Sequence, residues 1–313
     1  MGMGKDAETL LMDKRKLAIF IGVLSNVIFG FSFVFTTDAI GTLGVSNMVF
    51  LTHRFLLATI VMWLISLVTR QKLKFKGRPW YKLILLGLCQ PVIYFITGNY
   101  GLLMSTSTFS AIMIALVPVI GTLEATIFLK ERPSWIQYLL CGISVVAVSI
   151  LSVSETSGGT TTVLGVVLLV VSSIAAGTFN LISRGSREDF TAFERTFGMF
   201  AVAAVSFLVL ATVENSTNLQ AFVEPFKHTS YVVDILYLGI ASSVVAFFGV
   251  NYANTYLPVV QSTAFSNITT IVSVMAGIFI LHDPYSWVTI VAALVIMTSV
   301  WGIQKFSRSK DNA

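Results

Sequence analysis

The feature that most constrains the fold is a series of ten apolar runs, each about 20 residues long, joined by short polar connections. A helix needs about 20 apolar residues to cross the hydrocarbon core of a bilayer. The 313-residue chain is 55% hydrophobic and only 11% charged, which is too apolar for a soluble core of this size. The sequence therefore predicts an all-α integral membrane protein with ten transmembrane helices. The predicted spans are 17–37, 48–68, 81–102, 108–129, 135–153, 162–183, 193–213, 231–253, 260–281 and 286–304.

The direction of the spans follows from the positions of the basic residues. Most of the 20 Lys and Arg residues fall in every second connection or in the tails, at 5–16, 70–82, 130–132, 184–187 and 305–310. Cytoplasmic connections carry an excess of Lys and Arg. We therefore expect a multi-pass protein of the plasma (inner) membrane with both tails, 1–16 and 305–313, in the cytoplasm.

An internal repeat determines the predicted architecture. The run LKERPSW at 129–135 returns as LHDPYSW at 281–287, 152 positions later, and Asn99-Tyr100 returns as Asn251-Tyr252 at the same offset. Each repeat, 17–153 and 162–304, holds five predicted helices, so the second repeat enters the membrane from the other side. This inversion explains why only the first copy of the motif is basic. Inverted repeats of this kind are typical of secondary transporters, which bind substrate near the bilayer midplane.

Four short motifs resemble one family of membrane proteins. They are Phe29-Gly30 in helix 1, the HRFLLA run at 53–58, Pro118 in helix 4, and the LKERPSW ending. Together they resemble the drug/metabolite transporter (DMT) superfamily, EamA type, over about residues 17–304. The resemblance implies that helices 1–4 and 6–9 line a central cavity, that helices 5 and 10 lie at the periphery, and that the protein exports amino acids or other small metabolites.

Polar and aromatic residues inside the apolar runs are the candidate substrate ligands. They are Asn26, Phe29, Gln90, Tyr94, Asn180, Phe247, Asn251 and Ser266. Amides and aromatic rings with few charges suit a small neutral or zwitterionic ligand. The alternative for each asparagine is a hydrogen bond between helices, and for Asn251 it is the stabilisation of a helix end.

Two charged residues lie more than a helical turn from either end of a predicted span, where a charge is costly unless it is paired or hydrated. Glu124 is a candidate proton site that couples a gradient to transport; alternatively it reaches cytoplasmic water or pairs with Lys130. Arg54 could clamp a substrate carboxylate with two hydrogen bonds. Alternatively, Arg54 is structural and bonds Asp38 or backbone carbonyls. Outside these roles, Asp38 is expected to be solvated.

Two further features of the predicted helices can be explained by helix capping or helix packing alone. Asp234 is expected to stabilise the N-terminus of helix 8. Helix 9 carries a stripe of small residues on one face, which either packs closely against a neighbouring helix or lines the cavity. The stripe consists of Ser262, Ser266, Thr269, Ser273 and Gly277.

The sequence predicts a secondary active transporter of small neutral or zwitterionic metabolites, working by alternating access in the export direction. Amino acids are the favoured substrates, and nucleosides, nucleotide sugars, lipid-like molecules or a non-transporting role are the alternatives. We expect a monomer surrounded by membrane lipids, with a small-molecule substrate, protons as the candidate coupling ion and no nucleic-acid partner. The sequence carries no HExxH, GxSxG or Cys/His motif, so we predict no enzyme, no catalytic residue, no metal and no cofactor.

Overall fold

The computed structural model describes residues 3–71, 77–128, 133–257, 262 and 265–307. The described residues form helices and connections and contain no β-strand. The long helices are α1 (Met3–Thr36), α2 (Asn47–Val68), α3 (Tyr81–Leu103), α4 (Ser107–Phe128), α5 (Trp135–Ser157), α6 (Val163–Gly185), α7 (Ala192–Glu214), α8 (Thr229–Tyr256), α9 (Ser266–Phe279) and α10 (Trp287–Ser307).

Eight of these helices, α1 to α8, are long and apolar enough to cross a membrane. The other two, α9 and α10, have apolar segments of 10–17 residues within the described part of the chain. The prediction of an all-helical membrane protein is thus confirmed, whereas the last two spans stay predictions. Helix α1 already begins at Met3, within the segment 1–16 that was expected to be a tail. Lys130 and residues 308–313 lie outside the described residues.

The two repeats pack together in a pattern that stays the same when the repeats are exchanged. Equivalent helices pair across the molecule, α2 with α7 and α5 with α10. Helix α1 packs against α8 and α9, just as α6 packs against α3 and α4. This exchange symmetry is what two homologous five-helix units should produce when they fold around each other.

Two equivalent glycines show the symmetry at atomic detail. A Cβ atom on Gly30 of α1 would lie 2.5 Å from the side chain of Val272 in α9. A Cβ atom on Gly177 of α6 would lie 3.2 Å from Ile120 in α4, and Val272 and Ile120 are 152 positions apart. At Gly30 a side chain would clash with Val272, and at Gly177 it would force Ile120 to shift, so glycine favours the close approach of the two helices at both places.

The described residues of the two motif copies, 133–135 and 281–287, lie at opposite ends of the molecule. In α5, Ser134 and Gln137 form a capping box, and the Gln137 Nε2 donates to the carbonyl of Ile303 near the end of α10, at 3.1 Å. The start of α10 lies at the end of α5, where the Thr289 hydroxyl donates to Glu155 at 3.1 Å. Helices α5 and α10 are therefore antiparallel, and the two Pro-containing turns that precede them are inverted, as the repeat predicts.

Three of the four ion pairs among the described residues lie at one end of the molecule, which we call the basic end. Arg78, before α3, pairs with Glu194 of α7 at 3.1 Å, and Lys82 pairs with Asp189 at 2.5 Å. The other end, where α2 begins and α7 ends, is called the distal end. The clustering of Arg78 and Lys82 beside the α6–α7 connection agrees with the side on which the charge pattern groups them.

The helices that surround the centre of the molecule are irregular at equivalent positions. Leu88–Ile93 in α3 and Tyr237–Phe247 in α8 are both π-helical. In α3 the helix is interrupted at Gln90 (φ −145°, ψ 115°), next to Pro91, which cannot donate a backbone hydrogen bond. Single π turns inside α-helices often occur at functional sites, and here they face the central cavity.

Candidate substrate-binding site

A cavity of about 130 Å³ lies between the two repeats. Its described lining residues come from α1 to α4 in the first repeat and from α6, α8, α9 and Ser262, which precedes α9, in the second. Helices α5 and α10 contribute none, as the family resemblance implies, but neither does α7, which was expected to line it. Helix α7 packs against α2 and α3 instead. The volume is below the roughly 300–1,000 Å³ of sites for drug-sized ligands, so the cavity suits a small molecule.

Most of the predicted substrate ligands meet at this cavity. Seven of the eight line it, and Arg54 lines it as well. The seven are Asn26, Phe29, Gln90, Tyr94, Asn180, Phe247 and Ser266. Asn251 and the coupling candidate Glu124 are not among its lining residues. The structure therefore brings most of the predicted site together, and the role of these residues as substrate ligands stays a prediction.

Asn251 is fully buried in hydrogen bonds between helices. Its Oδ1 accepts from the Ser183 hydroxyl of α6 at 2.7 Å, and its Nδ2 donates to Thr196 of α7 at 3.0 Å. The side chain has no exposed surface. Because both sides of the amide are occupied, the structure places Asn251 in interhelical bonding, the alternative that the sequence left open.

Two of the three asparagines at the described cavity wall are held by neighbouring helices. Asn26 accepts a 2.9 Å hydrogen bond from Thr269 of α9 through its Oδ1. Asn180 accepts a 3.1 Å bond from Asn254 of α8 through its Oδ1. These bonds hold the side chains in one orientation, so the amides form rigid parts of the wall.

The aromatic part of the wall combines both repeats. The rings of Phe29 in α1 and Phe247 in α8 meet edge to face, with centroids 4.9 Å apart. Phe247 also contacts Phe95, Phe179 and Phe200 at 5.8–6.3 Å. Aromatic pairs in this geometry contribute roughly 0.5–1.5 kcal/mol each beyond their buried area. The cluster therefore gives the cavity a firm apolar side.

Arg54 is the one charged residue of the described cavity lining, and it is 1% exposed. Its Nη2 donates to Ser242 at 2.9 Å and its Nε to Ser243 at 3.0 Å, both in the π-helical part of α8. The guanidinium carbon lies 4.3 Å from the ring centre of Phe95, a cation–π contact. The remaining nitrogen, Nη1, has no hydrogen-bond partner among the described residues.

Arg54 also lacks an acidic partner within the described part of the chain. The recorded ion pairs all involve other residues, and Asp38, the expected partner, instead lies beside Asp234. The other structural alternative, bonding to backbone carbonyls, does not describe Arg54 either, because its hydrogen-bonded partners are hydroxyl groups. A buried arginine bound only by neutral groups is costly, and a substrate anion would neutralise it.

Several cavity residues were missed by reading the sequence. Ser242 joins Arg54 to α1 by accepting from the guanidinium and bonding the Ser32 hydroxyl at 2.8 Å. The sequence did carry a signal, because Ser242 stands 152 positions after Gln90. Applying the repeat to each candidate, residue by residue, would therefore have located Ser242.

Glu124 lies between α4 and α6, outside the cavity lining. It is 7% exposed, and its Oε1 accepts a 2.6 Å hydrogen bond from Thr178. Its Oε2 has no hydrogen-bond partner among the described residues and lies at the space left by Gly177. The low exposure argues against free contact with water.

The small-residue stripe of α9 serves both purposes, at different depths. Ser262, Ser266 and Thr269 line the cavity. Further along, the Ser273 hydroxyl donates to the carbonyl of Gly30 at 2.8 Å and so joins α9 to α1. Cavity lining and close helix packing thus occupy successive turns of one face.

Two interlocked helical repeats around a small polar and aromatic cavity define a membrane transporter fold. A model of the EamA-like transporter family matches residues 16–153 and 163–304. The chain belongs to this family, and the resemblance to the DMT superfamily is confirmed.

The chain is also similar to individual proteins along nearly its whole length. It is 28% identical over 288 residues to the uncharacterized transporter YcxC of Bacillus subtilis (strain 168), with 91% of this chain and 92% of that protein covered. An uncharacterized transporter of Archaeoglobus fulgidus is 22% identical over 256 residues, covering 79% of this chain and 85% of that one. A protein crystal structure shares the fold, with a TM-score of 0.67, 16% identity and coverage of 93% and 98%.

Proposed function

We propose that this transporter exports a small zwitterionic metabolite, with amino acids as the favoured class, by alternating access across the plasma membrane. The observation that supports this proposal is Arg54, a buried cation at the central cavity that has no described acidic partner and one nitrogen without a hydrogen bond. A substrate carboxylate supplies the missing negative charge and accepts the remaining hydrogen bonds.

The other cavity side chains have separate roles in binding the substrate. Ser242 and Ser243 hold the guanidinium in place from α8, so little ordering of Arg54 is needed when substrate arrives. Phe29 and Phe247 give the substrate side chain an apolar surface. Gln90, at the break in α3, places an amide at the wall.

Alternating access requires that contacts at each end of the cavity can separate. At the basic end, which we assign to the cytoplasm from the distribution of Lys and Arg, the pairs of Arg78 and Lys82 join the start of α3 to the α6–α7 region. The Lys82–Asp189 pair is partly exposed on both sides, and such a pair typically contributes only about 0–1 kcal/mol. It can therefore break when the cavity opens to that side. The irregular segments of α3 and α8 are suitable hinges.

Glu124 is the proposed coupling residue. Its carboxyl is buried and has a single described hydrogen-bond donor, Thr178. Binding and release of a proton there would change the charge between α4 and α6, whose neighbouring turns line the cavity.

A thermal-shift screen of purified protein tests the substrate class. A ligand that binds only the folded state stabilises it by an amount that grows with its concentration over Kd. We expect amino acids to raise the melting temperature, and the matching amino-acid amides and amines, which lack the carboxylate, to have little effect. Equal stabilisation by carboxylate-free compounds, or stabilisation only by nucleosides or lipids, would contradict the proposal.

A further inference from the structure

Two aspartates that are far apart in sequence lie together on the distal side of the cavity. Asp38 belongs to the π turn Thr37–Thr42 that ends α1, and Asp234 is the sixth residue of α8. The start of α8 packs against this π turn, and the two carboxyl groups are close enough to interact with each other. The structure corrects the expectations for both residues, since Asp234 lies beyond the first turn of α8 and Asp38 is half-buried rather than solvated.

The buried carboxyl of Asp234 lacks a compensating charge. Asp234 is 3% exposed, and its Oδ2 has no hydrogen-bond partner among the described residues. Two carboxylates at this distance repel each other in a buried site, so the stable form of such a pair holds one shared proton.

The titratable and charged groups on the surrounding elements are engaged elsewhere. His53 of α2 bonds the Tyr231 hydroxyl at 2.7 Å, and Arg54 bonds serines. Tyr237 donates to a backbone carbonyl of α1. Lys227 in the preceding loop pairs with Glu224. No ion pair in the described ranges involves Asp38 or Asp234.

We propose that Asp38 and Asp234 form a proton-binding carboxyl pair that keeps the distal ends of α1 and α8 together. Thr36, two residues before Asp38, lines the cavity. The ring of Phe35 stacks on Tyr237, three residues after Asp234, at 4.0 Å between centroids. The pair therefore closes the seam between α1 and α8 next to the cavity.

The consequence of proton release follows from the charges. When the shared O–H bond breaks and the proton passes to water at the distal end, two negative charges remain side by side. Their repulsion separates α1 from α8 and opens the cavity toward the distal end. This role rests on the proposed transport function, whereas the existence of the protonated pair does not.

Infrared spectroscopy of purified protein tests the pair without any substrate. We expect a protonated-carboxyl band at neutral pH that shifts when the aspartate side chains are labelled with ¹³C. Asp234→Asn should abolish this band, because the buried carboxyl that holds the proton is then replaced by an amide. Asp38→Asn should change its position, because Asp234 keeps its proton but changes its partner. Glu124→Gln is the matched control and should leave the aspartate band unchanged.

The absence of a protonated aspartate in the wild type would overturn the proposal, as would a band that survives Asp234→Asn. If Asp234→Asn fails to fold, the band position in Asp38→Asn decides, because an unchanged position would also contradict the pair. If the band behaves as expected but no metabolite is transported, the pair stands and the proposed function fails.

Opening is tested by labelling a reporter cysteine, Thr36→Cys, with a membrane-impermeant maleimide from the distal side. Cys89 and Cys141 are replaced by serine in this background. We expect labelling to speed up severalfold as the pH on that side rises, and the dependence to vanish when Asp234→Asn is added. A pH dependence that persists in the double variant would contradict the role of the pair in opening.

Discussion

Two buried arginines, one from each repeat, differ in their hydrogen-bond partners and in whether they line the cavity. Arg195 of α7 is fully buried and donates to the backbone carbonyls of Ser183 and Asn251 and to the hydroxyls of Ser183 and Thr255. Arg54 of α2 donates to two serine hydroxyls at a cavity and leaves Nη1 without a described partner.

The difference lies in what surrounds each guanidinium. The Arg195 group donates four hydrogen bonds to the ends of α6 and α8, so it joins helices. Its Nε also has no described partner, but Arg195 does not line the cavity. The Arg54 group is left incomplete beside an open volume, so it can complete its hydrogen bonds with a ligand. Charge inside a membrane span is thus not by itself a sign of a site; the unfilled hydrogen-bonding capacity at a cavity is.

The largest effect is expected from Arg195→Leu. The change removes four hydrogen bonds from a buried cluster, at about 1 kcal/mol each, so the free energy of unfolding should fall by about 3–5 kcal/mol. Thermal unfolding in detergent measures it. Arg195→Lys, which keeps a cation and some donors, is the control and should lose less. A stable, fully active Arg195→Leu protein would remove the distinction between the two arginines.

Arg54→Gln should act on binding instead of folding. Losing charge-assisted hydrogen bonds worth about 1.5–3 kcal/mol should weaken amino-acid affinity by about 10–100-fold. The melting temperature should stay close to that of the wild type, since no backbone partner of Arg54 is left unpaired. Isothermal titration gives the affinity. A large loss of stability with unchanged affinity would make Arg54 the structural arginine after all.

Tyr94→Ala should weaken binding modestly. Loss of an aromatic contact at the cavity corresponds to about 0.5–1.5 kcal/mol, or about 3–10-fold in affinity. Tyr94→Phe keeps the ring and should retain most of the affinity. Unchanged binding of a broad metabolite panel by Tyr94→Ala would remove this part of α3 from the site.

Glu124→Gln should have the smallest effect on binding, although it changes what drives transport. Its equivalent in the second repeat is Ala276, so any coupling role is asymmetric. We expect substrate affinity to stay within about twofold, since each 1.4 kcal/mol corresponds to tenfold, while accumulation driven by a pH gradient is lost. Liposome assays with and without the gradient separate the two. Undiminished gradient-driven accumulation would exclude Glu124 as the coupling group.

The fold was largely accessible from the sequence, because its signals are local or periodic. Apolar run length predicted α1 to α8 as spans, and the 152-residue repeat predicted the exchange symmetry that Gly30 and Gly177 display. Seven polar and aromatic candidates line one cavity, since the helices that the family resemblance assigned to the cavity are mostly those that form it.

The sequence did not predict which polar residues on different helices would contact each other. Asn251 forms hydrogen bonds to α6 and α7 through both ends of its amide. Asp38 lies beside Asp234 rather than beside Arg54. These pairings join residues 55–196 positions apart, and they depend on how helices rotate against each other. Neither composition nor spacing encodes that rotation, so the bonded and the ligand-accepting polar residues look alike in sequence.

Counterflow in liposomes tests the role of Arg54 most directly. Vesicles containing purified protein are loaded with an unlabelled amino acid and diluted into a trace of the same labelled compound, in parallel with its amide. If Arg54 binds the substrate carboxylate, the labelled amino acid accumulates, the amide does not, and Arg54→Gln strongly reduces the exchange at the same substrate concentration while remaining folded. Equal exchange of the amide, or undiminished exchange by Arg54→Gln, would contradict the assignment.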